Sequence, residues 1–423
     1  MREKKLKIDV RSEIGGLNAV LLHTPGAEVE NMTPRMAQRA LYSDILNLSI
    51  AQKEYEQIAG VLSKVAKVYQ VRDLLAMVLD QKGPRRDLLS KICLAEKAGS
   101  SFATLMEMST PQLVRALIEG LPARIDTLTA FLSEDYYALD PLYNFYFTRD
   151  SSVTLGNHAL ICRMANQVRA REAMIMEAIY RNSGAFECGI FDLRNAATQQ
   201  GPVFIEGGDV QVVRDDILVI GNGMRTSAAG IDSLVQQVCE DLPEGRRHII
   251  VQQLPSEPES FIHLDMVFTM LDRDKCMVFE PLIMGDHHYR TVHITIEDGR
   301  VSRIRGVSGI LPALKRLGID LEPLRCGGTG DSWVQEREQW HSGSNLFAFA
   351  PGKVLCYGRN EATVAELDKH GFAVLPAREI LSGEKKLEDY DKCCVTIQGS
   401  ELPRGGGGAR CMTMPLSRKA VEW

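Results

Sequence analysis

Between residue 141 and the C-terminus one local pattern recurs four times: a strand, a tight turn, a second strand, a helix and a third strand. Asp150 to Arg163 reads as the first hairpin, turning at Gly156-Asn157. Asp209 to Asn222 is the second, turning at Asp215-Asp216. Asp265 to Phe279 is the third, with Asp272-Arg273-Asp274 at its tip, and Asn345 to Tyr357 is the fourth, with Pro351-Gly352. Turn residues set between apolar runs predict hairpins. Helical text follows them at 167–180, 230–239, 312–317 and 361–370. A doubly wound parallel sheet would not need so many hairpins. The expected class is therefore α/β, with repeated units closing into a propeller-like arrangement whose loops converge on an axis.

Upstream, residues 16 to 25 read as a buried strand ended by Pro25, which would open a fifth unit. Helical periodicity follows from about 44 to 66, then a strand at 65–71. Residues 73 to 140 change character. Leu, Met, Glu, Lys and Arg dominate, and Leu113, Leu117, Leu121, Ile125 and Leu128 recur at helical spacing. Gly83-Pro84 and Thr110-Pro111 punctuate that run. The expected organisation is an α/β domain from 1–72 and 141–423, interrupted by an all-α insertion at 73–140.

Net charge is -6 and the basic residues are scattered, so neither nucleic acid nor a membrane surface is expected as a partner. No apolar run approaches the ~18 residues of a membrane span, and no h-region follows the charged N-terminus. Ten cysteines are spread along the chain without a C-x-x-C pair. Most read as reduced core thiols of a cytoplasmic protein. The exception is Cys411, delivered by the glycine run 405–408 and followed by a short apolar strand. Glycines let backbone pass where side chains would clash, so Cys411 is a candidate nucleophile.

Three further clusters could serve such a thiol. Asp150 closes the aromatic stretch Asn144-Phe145-Tyr146-Phe147-Thr148-Arg149; taken alone it reads rather as a turn cap or as a partner of Arg149. Glu206 and Asp209 flank paired glycines inside apolar text, as a buried acidic pair or as a turn with solvated acids. His263 and Asp265 share one face of a strand by period two, a fit to acid–base work. Arg169 and Arg225 are candidate anion contacts; each alone also reads as an ion-paired surface arginine. Nothing matches zinc-ligand spacing, so no metal is expected.

Several acids around one thiol suit a cation. Guanidinium is planar, carries five N–H donors and stays protonated. Asp150 and Asp265 could each hold one edge and leave the central carbon open to sulfur. A free thiol is only a few per cent ionised at neutral pH. The cationic substrate, with His263, is expected to tip Cys411 to thiolate.

The stretches Phe-Thr-Arg-Asp (147–150), Glu-Gly-Gly-Asp (206–209), His-Leu-Asp (263–265), Arg-Glu-Gln-Trp (337–340) with Gly343-Ser344-Asn345, and Ala-Arg-Cys-Met-Thr-Met-Pro (409–415) resemble the bacterial arginine deiminases, of the guanidine-modifying pentein superfamily. The resemblance spans nearly the whole chain. It implies a five-bladed α/β propeller of ββαβ units, a helical insertion, a homo-oligomer, and cofactor-free hydrolysis of L-arginine to L-citrulline. It implies that Cys411 attacks the guanidinium carbon and that His263, supported by Glu206, protonates ammonia and then activates water. Asp150 and Asp265 would hold the guanidinium nitrogens. Arg169 and Arg225 would take the α-carboxylate, Asn144 and the Leu41 backbone would sit at the α-amino end, and Phe147 would pack on the stem. Asp209 would stand behind them. Two departures stand out. Gly406 occupies the place of an arginine that gates the site in some members, and the early loop reads Leu41-Tyr42-Ser43-Asp44 where Leu-Phe-Asp-Asp is common. The alternatives are activity on another guanidine (methylarginine or agmatine), or a non-catalytic arginine-binding or interaction protein.

Overall fold

The computed structural model describes residues 4–39, 42, 44–132, 136–193 and 201–423. Its mixed α/β architecture is built on five sheets that share one three-stranded core. In four of them the core is an antiparallel hairpin plus a third strand laid parallel to the second. Ser152–Leu155 and His158–Ile161 are joined by Gly189–Asp192. Val210–Arg214 and Ile217–Asn222 are joined by Arg246–Gln253. Phe268–Met270 and Lys275–Val278 are joined by Glu322–Arg325, and Phe347–Ala350 and Lys353–Tyr357 by Cys393–Ile397. All four turns fall where the turn residues lie. In the fifth sheet the hairpin partner comes from the far end of the chain: Leu17–Leu22 runs antiparallel to Met414–Arg418 and parallel to Lys67–Gln70.

A helix precedes each parallel return, because a parallel crossover needs a dozen or more residues. Ala170–Asn182, Ala228–Asp241, Ile310–Arg316 and Glu361–Lys369 serve four units, and Leu48–Ser63 serves the fifth. Ala228–Asp241 starts on Ser227, whose hydroxyl accepts from the Gly230 N–H at 3.0 Å. Leu48–Ser63 starts on Asn47, whose side chain accepts from the Ile50 N–H. Its Glu54, buried, turns towards the cysteine loop and accepts from the N–H groups of Ser400, Glu401 and Leu402. That carboxylate fixes where the glycine run begins.

Two differences from the sequence expectations concern the periphery. The 73–140 region carries the helices Lys82–Ala95, Phe102–Glu107, Thr110–Glu119 and Leu128–Leu132, but it is not all-α: Leu121–Pro122 pairs antiparallel with Tyr137–Leu139. Helical spacing through Leu121 breaks because Gly120 adopts φ 97°, which turns the chain out of the helix. The helical layer also shares its core with the sheets. Leu74, Leu89, Ile92, Leu113 and Leu117 lie in one cluster with Ile175 and Ile179, and with Leu21, Ile161 and Met414. The second difference is a hairpin, Thr291–Glu297 with Arg300–Val307, that extends one sheet to five strands. Among the described residues, no helix is long and apolar enough to cross a membrane.

Candidate active site

Each candidate side chain sits at a break in regular structure just before or after a strand. Asp150 lies in the single helical turn Thr148–Ser151, ahead of Ser152–Leu155. Glu206 is extended and leads into the 3₁₀ turn Gly207–Asp209. His263 is extended and leads into the 3₁₀ turn Leu264–Met266, which contains Asp265. Cys411 lies in the turn before Met414–Arg418. The reading of His263 and Asp265 as one face of a strand is corrected here, since the strand begins only at Phe268. The reason lies across the fold: Asp209 Oδ1 accepts the Leu264 N–H at 2.8 Å and bends the chain between them. Gly208 is needed for the same packing, because a Cβ there would run into the His263 imidazole.

The turns bring these residues together out of solvent. Cys411, His263, Glu206, Asp150, Asp265 and Asp209 are all buried. His263 Nε2 is 2.9 Å from Glu206 Oε2, and Nδ1 is 3.8 Å from Asp150 Oδ1. Glu206 Oε1 accepts the Ala165 N–H at 3.0 Å and faces Arg225 at 3.6 Å. The Cys411 thiol points at Asp265, with Sγ 3.6 Å from Oδ2 and 3.9 Å from Oδ1. Asp150 Oδ1 and His263 Nδ1, 3.8 Å apart, are buried without a hydrogen-bond partner. Unpaired buried polar atoms are costly, so their convergence marks a place built for a polar guest.

The charges are mutually tuned. Burial alone would push His263 down, but Asp150 and the Glu206 hydrogen bond push it up to about 9. Burial would raise Glu206, yet the hydrogen bond from His263 and the charge of Arg225 hold it well below the usual carboxylate range. Burial, then Asp265 and Asp150, push the Cys411 thiol up. Burial lifts Asp265 against the pull of Arg410, and lifts Asp209 to about 7. A cation placed between the two aspartates would relieve the pressure on the sulfur.

The other expected contacts divide. Arg225, 12% exposed, lines a cavity of about 170 Å³ with Tyr42, Met266, Trp340, Gly405 and Gly406. Gly406 has φ 83° and nothing within reach of a Cβ, so the cavity wall is open at that position. Arg169 is engaged inside the protein: Nη1 donates to Asp150 Oδ2 at 2.7 Å, Nε and Nη2 donate to Glu172, and Nη2 donates to the Asn144 carbonyl. Phe147 is buried against Tyr146, with ring centroids 4.2 Å apart, and a Cβ on Gly407 would meet its ring. Leu41 lies outside the described residues. Asp150, Glu206 and His263 bring ligating atoms within 4.8 Å of one another; His263 Nε2 is already used by Glu206, which leaves Nδ1 for an ion.

Four participants were not among the candidate site residues read from the sequence. Asn345 holds the cysteine turn, its Oδ1 accepting the N–H of Arg410 and of Cys411 at 3.0 and 3.1 Å. Arg410 reaches from beside the nucleophile to Asp265 Oδ2 at 2.8 Å and to Glu13 at 3.1 Å. Burial would raise Glu13, but Arg410 and Arg149 hold it down at about 2. Glu172 holds Arg169. Adjacency to the cysteine was the one available hint for Arg410.

Comparison with known proteins agrees over the whole length. The family model for arginine deiminase matches residues 38–418. Arginine deiminases from Bacillus cytotoxicus and Bacillus cereus are each 34% identical, with 99% of this chain and 100% of the relative covered. One from Streptococcus pneumoniae is 33% identical over 98% of this chain and 99% of its own. Among solved structures, the amidinotransferase SxtG of Microseira wollei superposes with TM-score 0.53 at 14% identity, over 98% of both chains. A dimethylarginine dimethylaminohydrolase superposes with TM-score 0.51 at 11% identity, covering 94% of this chain and 99% of its own. Those two likenesses speak to the pentein fold alone.

Proposed function

Since the chain belongs to the arginine deiminase family, it is a hydrolase that converts L-arginine to L-citrulline and ammonia, and we propose that it does so through a covalent thiouronium on Cys411. The observation that carries the assignment is the buried sulfur set against Asp265, with Asp150 and the His263–Glu206 pair converging beside it.

In this reading Asp150 and Asp265 grip the two edges of the guanidinium and hold its carbon over Sγ. Charge-assisted hydrogen bonds of this kind contribute roughly 1.5–3 kcal/mol each. As the cation docks, the S–H proton leaves to solvent. The thiolate bonds to the guanidinium carbon, one C–N bond breaks, and His263 gives its proton to the departing ammonia. A neutral imidazole and a thiouronium cation remain. His263 then takes a proton from water, the hydroxide adds to the carbon, and the C–S bond breaks as the new hydroxyl loses its proton to solvent, releasing citrulline and thiolate. Glu206 stabilises the imidazolium. Asp209 holds the turn between His263 and Asp265.

Arg225, beside the open cavity, takes the substrate carboxylate. Arg169 fixes Asp150 from behind and reaches the carboxylate only by loosening that bond. Asn144 and Phe147 complete the substrate pocket. We further propose that the five sheets stand around a pseudo-fivefold axis with 73–140 as a lateral insertion. Pairing of the Leu17–Leu22 strand with the Met414–Arg418 strand supports such a closure. A cytoplasmic location fits ten unbridged cysteines. The test is a citrulline assay with L-arginine, agmatine and methylarginines in parallel. Product from L-arginine alone is expected; product from agmatine at equal efficiency would contradict the role of Arg225.

A further inference from the structure

We infer that Asn345 is a catalytic residue, whose carboxamide donates a hydrogen bond to the Cys411 sulfur and holds it as thiolate through attack and release; this rests on the arginine deiminase reading. Asn345 Nδ2 lies 3.1 Å from Sγ and 3.2 Å from the Asp265 carbonyl oxygen. The orientation of the amide is fixed by its other end. Oδ1 accepts two backbone N–H donors, from Arg410 and Cys411, and a flipped amide would set N–H against N–H at both. The NH₂ group must therefore face the sulfur, and its two hydrogens match its two closest acceptors, Sγ and the Asp265 carbonyl.

The sulfur needs such a donor. It is buried, and its side-chain surroundings include the carboxylates of Asp265 and Asp150, which oppose ionisation. Arg410, the next residue in the chain, is committed to Glu13 and Asp265. A lysine or arginine in place of Asn345 would stabilise thiolate more strongly, but it would repel the guanidinium and compete for the same aspartates. A neutral amide favours the anion on sulfur and leaves the acids to the substrate. The same bond, made before the cation arrives, costs no reorganisation during the reaction. It acts again when the C–S bond breaks and the electron pair returns to sulfur.

Asn345→Asp and Asn345→Ala separate the sulfur contact from the loop contact. The first keeps the oxygen that accepts both backbone N–H groups; the second removes both functions. Cys411 alkylation by iodoacetamide, followed across pH by mass spectrometry of its peptide, is read beside citrulline kcat and KM. Both variants are expected to move the alkylation midpoint up by about one to two pH units and to lower kcat by roughly 10- to 150-fold. KM should change less than about threefold. An unchanged midpoint in both variants, with wild type making citrulline, overturns the assignment to Asn345 alone. Absence of citrulline from folded wild-type protein overturns the arginine deiminase reading instead.

Discussion

His263 Nε2 and Glu206 Oε2 lie 2.9 Å apart, with neither side chain reaching solvent. A histidine bonded at one nitrogen to a buried carboxylate is held in one orientation, and its other nitrogen is left to work. Here that nitrogen, Nδ1, is unpartnered and faces Asp150. Replacing His263 by alanine removes the proton donor for ammonia and the base for water. Citrulline kcat should fall about 10²- to 10⁴-fold, the usual range for such a group, with alkylation of Cys411 still possible.

The same pair sets a titration. His263 is raised from an ordinary 6.5 to about 9. A group raised in the folded state lends stability that is complete below its unfolded value, near 6.5, and is lost as pH rises through about 9. Wild-type unfolding free energy should decline across that window, and Glu206→Gln should flatten the decline. An NMR titration of the His263 ring checks this directly, with the midpoint dropping by at least about one unit in Glu206→Gln.

The two arginines should part company. Arg169 is tied to Asp150 and Glu172, all three nearly without exposure. Arg169→Ala leaves both acids buried and unpaired, at a cost of about 3–5 kcal/mol in chemical denaturation. Arg225 borders the cavity and has one ion-pair partner, Glu206, at 3.6 Å, so Arg225→Ala should destabilise less than Arg169→Ala and raise KM for L-arginine roughly 10-fold or more. Its effect on agmatine, which lacks the carboxylate, should be small.

Gly208 offers a geometric test. A methyl group there occupies the space of the His263 ring. Gly208→Ala should therefore displace the imidazole and cost about 10²-fold in kcat, since a 1 Å misplacement carries that penalty. Gly406→Ala meets no atom within 4 Å. It should cost only the backbone strain of its φ of 83°, of order 1–3 kcal/mol, with little change in kcat.

Local chemistry made the hairpins legible. Gly156-Asn157 and Pro351-Gly352 set their turns without help from the rest of the chain, and the strands on either side follow from alternation. The His263–Asp265 turn was not legible, because the force that bends it is the Asp209 carboxylate 55 residues away. The Thr291–Glu297 and Arg300–Val307 hairpin was missed for another reason: Arg300–Val307 is almost entirely exposed, so its text lacks the apolar face that betrays a strand. At the site, the acids, the histidine and the cysteine stood out because such residues are rare in apolar stretches. Asn345 and Glu13 did not, because their roles depend on contacts to residues distant in sequence, Arg410 and Cys411 for Asn345 and Arg410 for Glu13.

The most direct measurement is the mass of the Cys411 peptide after acid quench during turnover of L-arginine. A thiouronium adduct on Cys411, appearing before citrulline and absent in Cys411→Ala enzyme that makes no product, is the predicted result. Citrulline formed by Cys411→Ala at a rate near wild type, or an adduct on a different residue, would contradict it.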